Sequence, residues 1–177
     1  MFELWISLKD IPAEGREFHF TDQSLWTGPM REFAVAGRIA KPFAARLSIV
    51  PQGEGFLVSG EFAGSLIAPC GRCAEDFELP VATSFEVYEG PEEEAEGDTE
   101  SQDESHLRLS PSGNPELNVA GLIWEQFVLA LPESPVCSEA CRGLCPQCGV
   151  NRNENDCGCV REEGDPRLAV LRNLKLQ

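Results

Sequence analysis

A chain of 177 residues, 42% of them hydrophobic, has room for one globular domain plus a small appendage. Its net charge of −16 repels nucleic acid at long range, so a mode of action based on blanketing phosphates is not expected. The opening MFELWISLKDIP has no basic segment leading into an apolar run, and no stretch approaches the roughly 18 apolar residues of a membrane span, so a soluble, cytoplasmic protein without membrane contact is expected.

Residues 1–88 read as a β-rich domain. Phe2, Leu4, Ile6 and Leu8 alternate, as do Phe33, Val35, Gly37 and Ile39, with the period of two that puts apolar side chains on one face of a strand. The same period runs through Phe56, Val58, Gly60, Phe62, Gly64 and Leu66, and again through Phe77, Leu79, Val81, Thr83, Phe85 and Val87. Glycines inside these runs suggest bulges or strong coiling, as in a curved antiparallel sheet or a small barrel. Cys70-Gly71-Arg72-Cys73 falls between the last two runs and therefore in a connecting turn.

Residues 89–114 read as a mobile acidic loop. Ten acidic residues, from Glu86 and Glu89 through Glu92, Glu93, Glu94, Glu96, Asp98, Glu100, Asp103 and Glu104, follow one another without a Lys or Arg. The other 20 acidic residues face 14 basic ones, so much of the net charge is local. A helix follows within 115–132: Asn118 suits its N-cap, Val119, Leu122, Ile123, Gln126, Phe127 and Ala130 recur at helical spacing, and Leu131-Pro132 closes it. Residues 133–177 form a cysteine-rich module and a last helix. Asp165-Pro166 announces that helix, and Leu168, Leu171 and Leu174 give it an apolar stripe. The resulting class is α+β and mainly β, with two helices and a C-terminal zinc module.

Eight cysteines in a reducing compartment suggest thiolate ligands in preference to disulfides. Cys145-Pro146-Gln147-Cys148-Gly149 has the form of a zinc knuckle, because a two-residue spacer turns both sulfurs towards one ion and the glycine lets the backbone reverse. Cys157-Gly158-Cys159 completes a four-thiolate set, and Asn151, Asn153, Asn155 and Asp156 suit the intervening turns. Cys137 and Cys141 either replace half of that set or supply a second site, with Cys70 and Cys73 as weaker candidates for its other half. One structural Zn2+ is expected, with scope for two. The competing reading makes Cys70 and Cys73 reactive thiols, although their strand-like flanks lack the helix N-terminus that stabilises a thiolate.

Catalysis is not expected. His19 lies in a strand-like stretch and His106 beside the acidic loop, and no metalloprotease, phosphate-loop or nucleophile-elbow pattern accompanies them. Zinc held by four cysteines has no open position for water.

The ordered set of motifs resembles the bacterial and plastid YceD family of large ribosomal RNA subunit accumulation proteins. It comprises Cys70-Gly71-Arg72-Cys73, the acidic loop, Leu129-Ala130-Leu131-Pro132, Cys137 and Cys141, Arg142-Gly143-Leu144-Cys145-Pro146-Gln147-Cys148-Gly149, Asn151 and Asn153, Cys157 and Cys159, and Asp165-Pro166-Arg167-Leu168. The resemblance implies a non-enzymatic role in ribosomal RNA accumulation and ribosome biogenesis. Some relatives keep the C-x-R-C turn without the later cysteines, which makes Arg72 a candidate binding residue. The acidic loop suits a basic partner, namely ribosomal proteins or large-subunit assembly intermediates. Direct RNA contact would fall to the basic residues of the last third, Arg142, Arg152, Arg161, Arg167, Arg172 and Lys175. The alternative function is a redox-responsive or metal-sensing regulator acting through Cys70 and Cys73.

Overall fold

The computed structural model of the chain describes residues 3–90 and 106–159. The acidic run from Glu92 to Glu104 and the expected helix after Asp165-Pro166 lie outside the described residues.

Two open antiparallel sheets carry the fold. The larger has strand order β2-β3-β4-β5, formed by β2 (Arg16–Phe20), β3 (Arg38–Gln52), β4 (Gly55–Pro69) and β5 (Asp76–Glu89). The smaller has order β1-β7-β6, formed by β1 (Trp5–Ser7), β6 (Leu107–Leu109) and β7 (Pro115–Asn118). The expected antiparallel sheet is therefore present, whereas no closed barrel forms among the described residues. Leu107–Leu109 falls within the stretch expected to be a loop. It is instead a strand, because Leu107 pairs with Leu117 and packs on the core.

The alternating runs read from the sequence become β4 and β5, which stay in unbroken register from Phe56 opposite Glu89 to Pro69 opposite Asp76. The glycines of β4 do not mark bulges. A Cβ on Gly60 would lie 2.3 Å from the Phe85 ring and 2.5 Å from Leu47, and one on Gly64 2.5 Å from the Phe43 ring. These glycines make room for large neighbours. The register shifts lie in β3 against β4, between Ile39 and Ala44.

Two helices cover the larger sheet. In α2 (Val119–Ala130), Asn118 is the N-cap and its Oδ1 accepts the Gly121 N–H at 3.1 Å, while Leu131 before Pro132 is extended, as the sequence indicates. In α1 (Ser24–Glu32), Leu25, Trp26, Pro29 and Met30 are buried. This helix occupies part of the N-terminal region read as strands. Phe33 and Val35, taken there as strand positions, form its exit: Ala34 adopts a left-handed φ of 51°, and the Val35 N–H reaches back to the Met30 carbonyl at 2.9 Å.

The core lies between this helical layer and the sheet. Trp26, Leu47, Ile49, Val58, Ile123 and Phe127 are all 0% exposed. Each of the aliphatic and phenyl side chains among them contributes roughly 1.5–3 kcal/mol relative to leaving it in water. Among the described residues no helix is long and apolar enough to cross a membrane.

Candidate metal centre

The β4–β5 hairpin places a metal-type turn at its tip. In Cys70-Gly71-Arg72-Cys73-Ala74 the Cys70 N–H donates to the Glu75 carbonyl at 2.9 Å, and the Ala74 N–H donates to the Cys70 carbonyl at 2.9 Å. In Cys145-Pro146-Gln147-Cys148-Gly149 the bonds recur at the same offsets: Cys145 N–H to the Val150 carbonyl and Gly149 N–H to the Cys145 carbonyl, both 2.8 Å. The residue after the second cysteine is left-handed in both turns, with φ of 61° at Ala74 and 74° at Gly149. Glycine takes that conformation freely. Alanine does so at a cost of roughly 1–2 kcal/mol, so the first knuckle is held in shape by its surroundings.

Those surroundings are residues 134–144. The Gly71 N–H donates to the Pro135 carbonyl at 2.7 Å, and the Arg72 guanidinium donates from Nη1 to the carbonyls of Glu139 at 3.1 Å and Cys141 at 3.3 Å. The Leu144 N–H returns to the Arg72 carbonyl at 3.0 Å. Cys137 and Cys141 are thereby carried onto the first knuckle, over Phe77 and Val136.

Two groups of four thiols result, Cys70/Cys73/Cys137/Cys141 and Cys145/Cys148/Cys157/Cys159, with the sulfurs of each group all within 4.8 Å of one another. The set read first from the sequence comes together as a unit. Cys137 and Cys141 join Cys70 and Cys73 instead of displacing Cys157 or Cys159.

The residues fit a tetrahedral thiophilic ion. Zn–S bonds of about 2.3 Å put the sulfurs of a regular tetrahedron about 3.8 Å apart. Cys70 Sγ lies 3.9 Å from Cys141 Sγ, and Cys73 Sγ lies 3.8 Å from Cys137 Sγ. Disulfide sulfurs would be about 2.05 Å apart, and all eight cysteines are free. Backbone donors already face the sulfur of Cys70, from Arg72 at 3.4 Å and Cys137 at 3.3 Å.

The acid–base behaviour of the thiols agrees with that fit. The Cys73 and Cys137 N–H groups bring Cys70 down to about 6, and the Cys148 and Gln147 N–H groups bring Cys145 down to about 6. Burial, then the neighbouring thiols Cys141, Cys70 and Cys73, push Cys137 up to about 12. Cys148 and Cys157 push Cys159 up to about 12. Each cluster thus gives up its first proton readily and holds its last. A divalent cation at the centre would remove that repulsion and allow four thiolates together.

The remaining candidates are placed as follows. Arg72 is exposed but uses its guanidinium to fasten the Cys137–Cys141 segment. Arg142 forms an ion pair with Asp156, which neutralises one of the charges considered for RNA. Arg152 is described and exposed, whereas Arg161, Arg167, Arg172 and Lys175 lie outside the described residues. His19 is exposed on β2, and His106 joins β6 to α2 through Glu125 at 2.7 Å. Asn153 has a role that its type suggested only as a turn former: its Oδ1 accepts the Arg142 N–H at 2.7 Å, and its Nδ2 donates to Cys141 Sγ at 3.4 Å.

The family model described as large ribosomal RNA subunit accumulation protein YceD matches residues 58–175, a span that includes all eight cysteines. The chain belongs to the YceD family. Among curated relatives, an uncharacterized protein of Mycobacterium tuberculosis and one of Mycobacterium bovis are each 34% identical over 119 residues, which is 67% of this chain and 55% of theirs. The chain thus spans about half the length of these relatives. A chloroplastic large ribosomal RNA subunit accumulation protein YCED homolog 1 of Arabidopsis thaliana is 36% identical over 62 residues, 35% of this chain and 19% of that protein. No solved structure matches the chain at a significant level.

Proposed function

We propose that this YceD family member supports accumulation of large-subunit ribosomal RNA in the cytoplasm as a non-catalytic factor, working through contacts with ribosomal proteins or assembly intermediates. The observation that carries the reading is the family match over residues 58–175. Each cysteine cluster holds one structural Zn2+, whose four thiolates leave no position for a reacting water. The ions keep residues 134–159 folded on the tip of the β4–β5 hairpin.

The acidic run from Glu92 to Glu104 is offered to a Lys- and Arg-rich ribosomal protein, and Arg72 is part of the contact surface. Direct RNA contact would rest on Arg152 with the basic residues beyond Cys159. The test is affinity purification of the tagged chain from nuclease-treated lysate, with large-subunit ribosomal RNA measured in cells lacking the protein. Enrichment of basic large-subunit proteins, lost on deletion of residues 92–104, supports the reading. An unchanged RNA level and an empty purification refute it.

The thiol-switch alternative draws on the lowered pKa of Cys70. Its placement with three further cysteines supports a metal site instead. Alkylation separates the two: a reactive pair labels at once, whereas ligands label only after chelation.

A further inference from the structure

Several bonds run between the two cysteine clusters rather than within either. Residues 143–152 form a small hairpin in which Leu144 bridges to Asn151 and the Arg152 N–H donates to the Gly143 carbonyl at 2.9 Å. One strand of that hairpin is bonded to the first knuckle, Leu144 N–H to the Arg72 carbonyl at 3.0 Å. The contact is close. A Cβ on Gly143, where φ is +69°, would come within 2.9 Å of the Arg72 carbonyl oxygen.

Asn153 continues the hairpin, inside the stretch that joins Cys148 to Cys157. Its side chain leaves the cluster that frames it and donates to Cys141 Sγ of the other cluster at 3.4 Å. Its remaining polar atom is set by the same framework, since Oδ1 accepts from Arg142 N and Nδ2 also donates to Asn151 Oδ1 at 2.9 Å. Asn155 N–H and Glu154 N–H both return to the Asn151 carbonyl, which shapes the turn around Asn153.

We propose that the two clusters bind metal as a coupled pair, with Asn153 as the positioning residue that links them. An ion held by Cys145, Cys148, Cys157 and Cys159 closes the loop on which Asn153 stands. The closed loop aims the Asn153 amide at Cys141 and presses Leu144 against the Arg72 turn. A donor fixed on a ligand sulfur orients it, and loss of such a partner weakens metal affinity by roughly 10–100-fold. Coupling of binding free energies is reciprocal, so filling the Cys70/Cys73/Cys137/Cys141 cluster tightens the other by the same factor. This inference rests on the metal reading above and extends it, because two unconnected structural ions would satisfy that reading equally well.

The test titrates Co2+ into the reduced full-length chain, follows thiolate–cobalt absorption, and then displaces the cobalt with Zn2+. The wild-type chain is expected to take two ions in one steep phase. Cys148→Ser, which disables the second cluster at an exposed ligand, is expected to leave one ion bound about tenfold or more weakly than in the wild type. Asn153→Ala keeps all eight thiols and serves as the check against misfolding. It should still take two ions, now in two separate steps, because only the Cys141 cluster has lost its donor. Cys137→Ser should weaken the second cluster by a factor similar to that seen in the first. The coupling is overturned if Cys148→Ser and Asn153→Ala fill the Cys70/Cys73/Cys137/Cys141 cluster with wild-type affinity. Absence of any cobalt–thiolate signal in the wild-type chain would overturn the metal reading itself.

Discussion

Replacing Phe127 by alanine tests how α2 is fixed to the sheet, and its magnitude can be worked from the packing. The ring is 0% exposed and meets three others: Phe43 edge-on at 5.4 Å, Phe62 at 6.2 Å and Trp124 stacked at 5.4 Å. Removing a buried phenyl group costs about 3–5 kcal/mol through lost transfer energy and the cavity left behind. Aromatic pairs add about 0.5–1.5 kcal/mol beyond the area they bury. Collapse into the cavity is restricted, because Phe43 is itself held in a stack with Trp26 at 5.5 Å. A loss near the top of the range, about 4–5 kcal/mol, is therefore expected. With a urea slope of about 2 kcal/mol per molar, the unfolding midpoint should fall by about 2 M. Urea unfolding followed by tryptophan fluorescence reads this directly, with Leu129→Ala as the control. Leu129 stands two residues later on the same helix but is 71% exposed, so its change should stay within about 0.5 kcal/mol. A loss below about 1.5 kcal/mol for Phe127→Ala would show that the aromatic cluster does not anchor the helix.

Three further outcomes are expected. Gly60→Ala should destabilise by about 1–3 kcal/mol on thermal or urea unfolding, since its Cβ would meet Phe85 at 2.3 Å and Leu47 at 2.5 Å and the core must deform to admit it. Glu78 is held below its ordinary value of 4.5 by the Lys41 ammonium and then the Ser65 hydroxyl. Its contribution to stability is complete above 4.5 and lost as pH falls through the depressed value, so Glu78→Gln should flatten the acid limb of a stability–pH curve. Arg72→Ala removes the two bonds to the Glu139 and Cys141 carbonyls and should speed alkylation of Cys137 and Cys141 in chelator-treated protein. Arg72→Lys should restore the slow rate only in part, because the lysine side chain ends one atom short of the Nη1 position that makes both bonds.

Much of the sheet was legible because period-two alternation is a local signal: the runs from Phe56 to Leu66 and from Phe77 to Val87 became β4 and β5 with their apolar faces inward. The α2 boundaries were legible for the same reason, since Asn118 and Leu131-Pro132 are short-range start and stop signals. Helix α1 was not. Gly28-Pro29 reads as a chain breaker, and Phe33 and Val35 mimic strand spacing, whereas tertiary burial of Trp26, Pro29 and Met30 decides the matter. The cysteines divided along the same line. A C-x-x-C turn and its nearby partners, Cys145 to Cys159, can be read from spacing. The partnership of Cys70 with Cys141, 71 residues away, depends on residues 134–144 docking at the hairpin tip through Gly71 and Arg72. The recurrence of the same turn after Cys70 and after Cys145 was the available clue. Asn153 gave no such clue, because asparagine in a loop serves turns far more often than it serves a distant sulfur.

Native mass spectrometry of the chain, purified without added metal or chelator, tests the central claim of two four-cysteine metal sites most directly. Two zinc ions per chain are expected, with Cys73→Ser and Cys148→Ser each shifting the population towards fewer ions, and a chelator that removes them releasing all eight thiols to alkylation. A chain that carries no stoichiometric metal, whose thiols label at once and whose stability a chelator leaves unchanged, would contradict it.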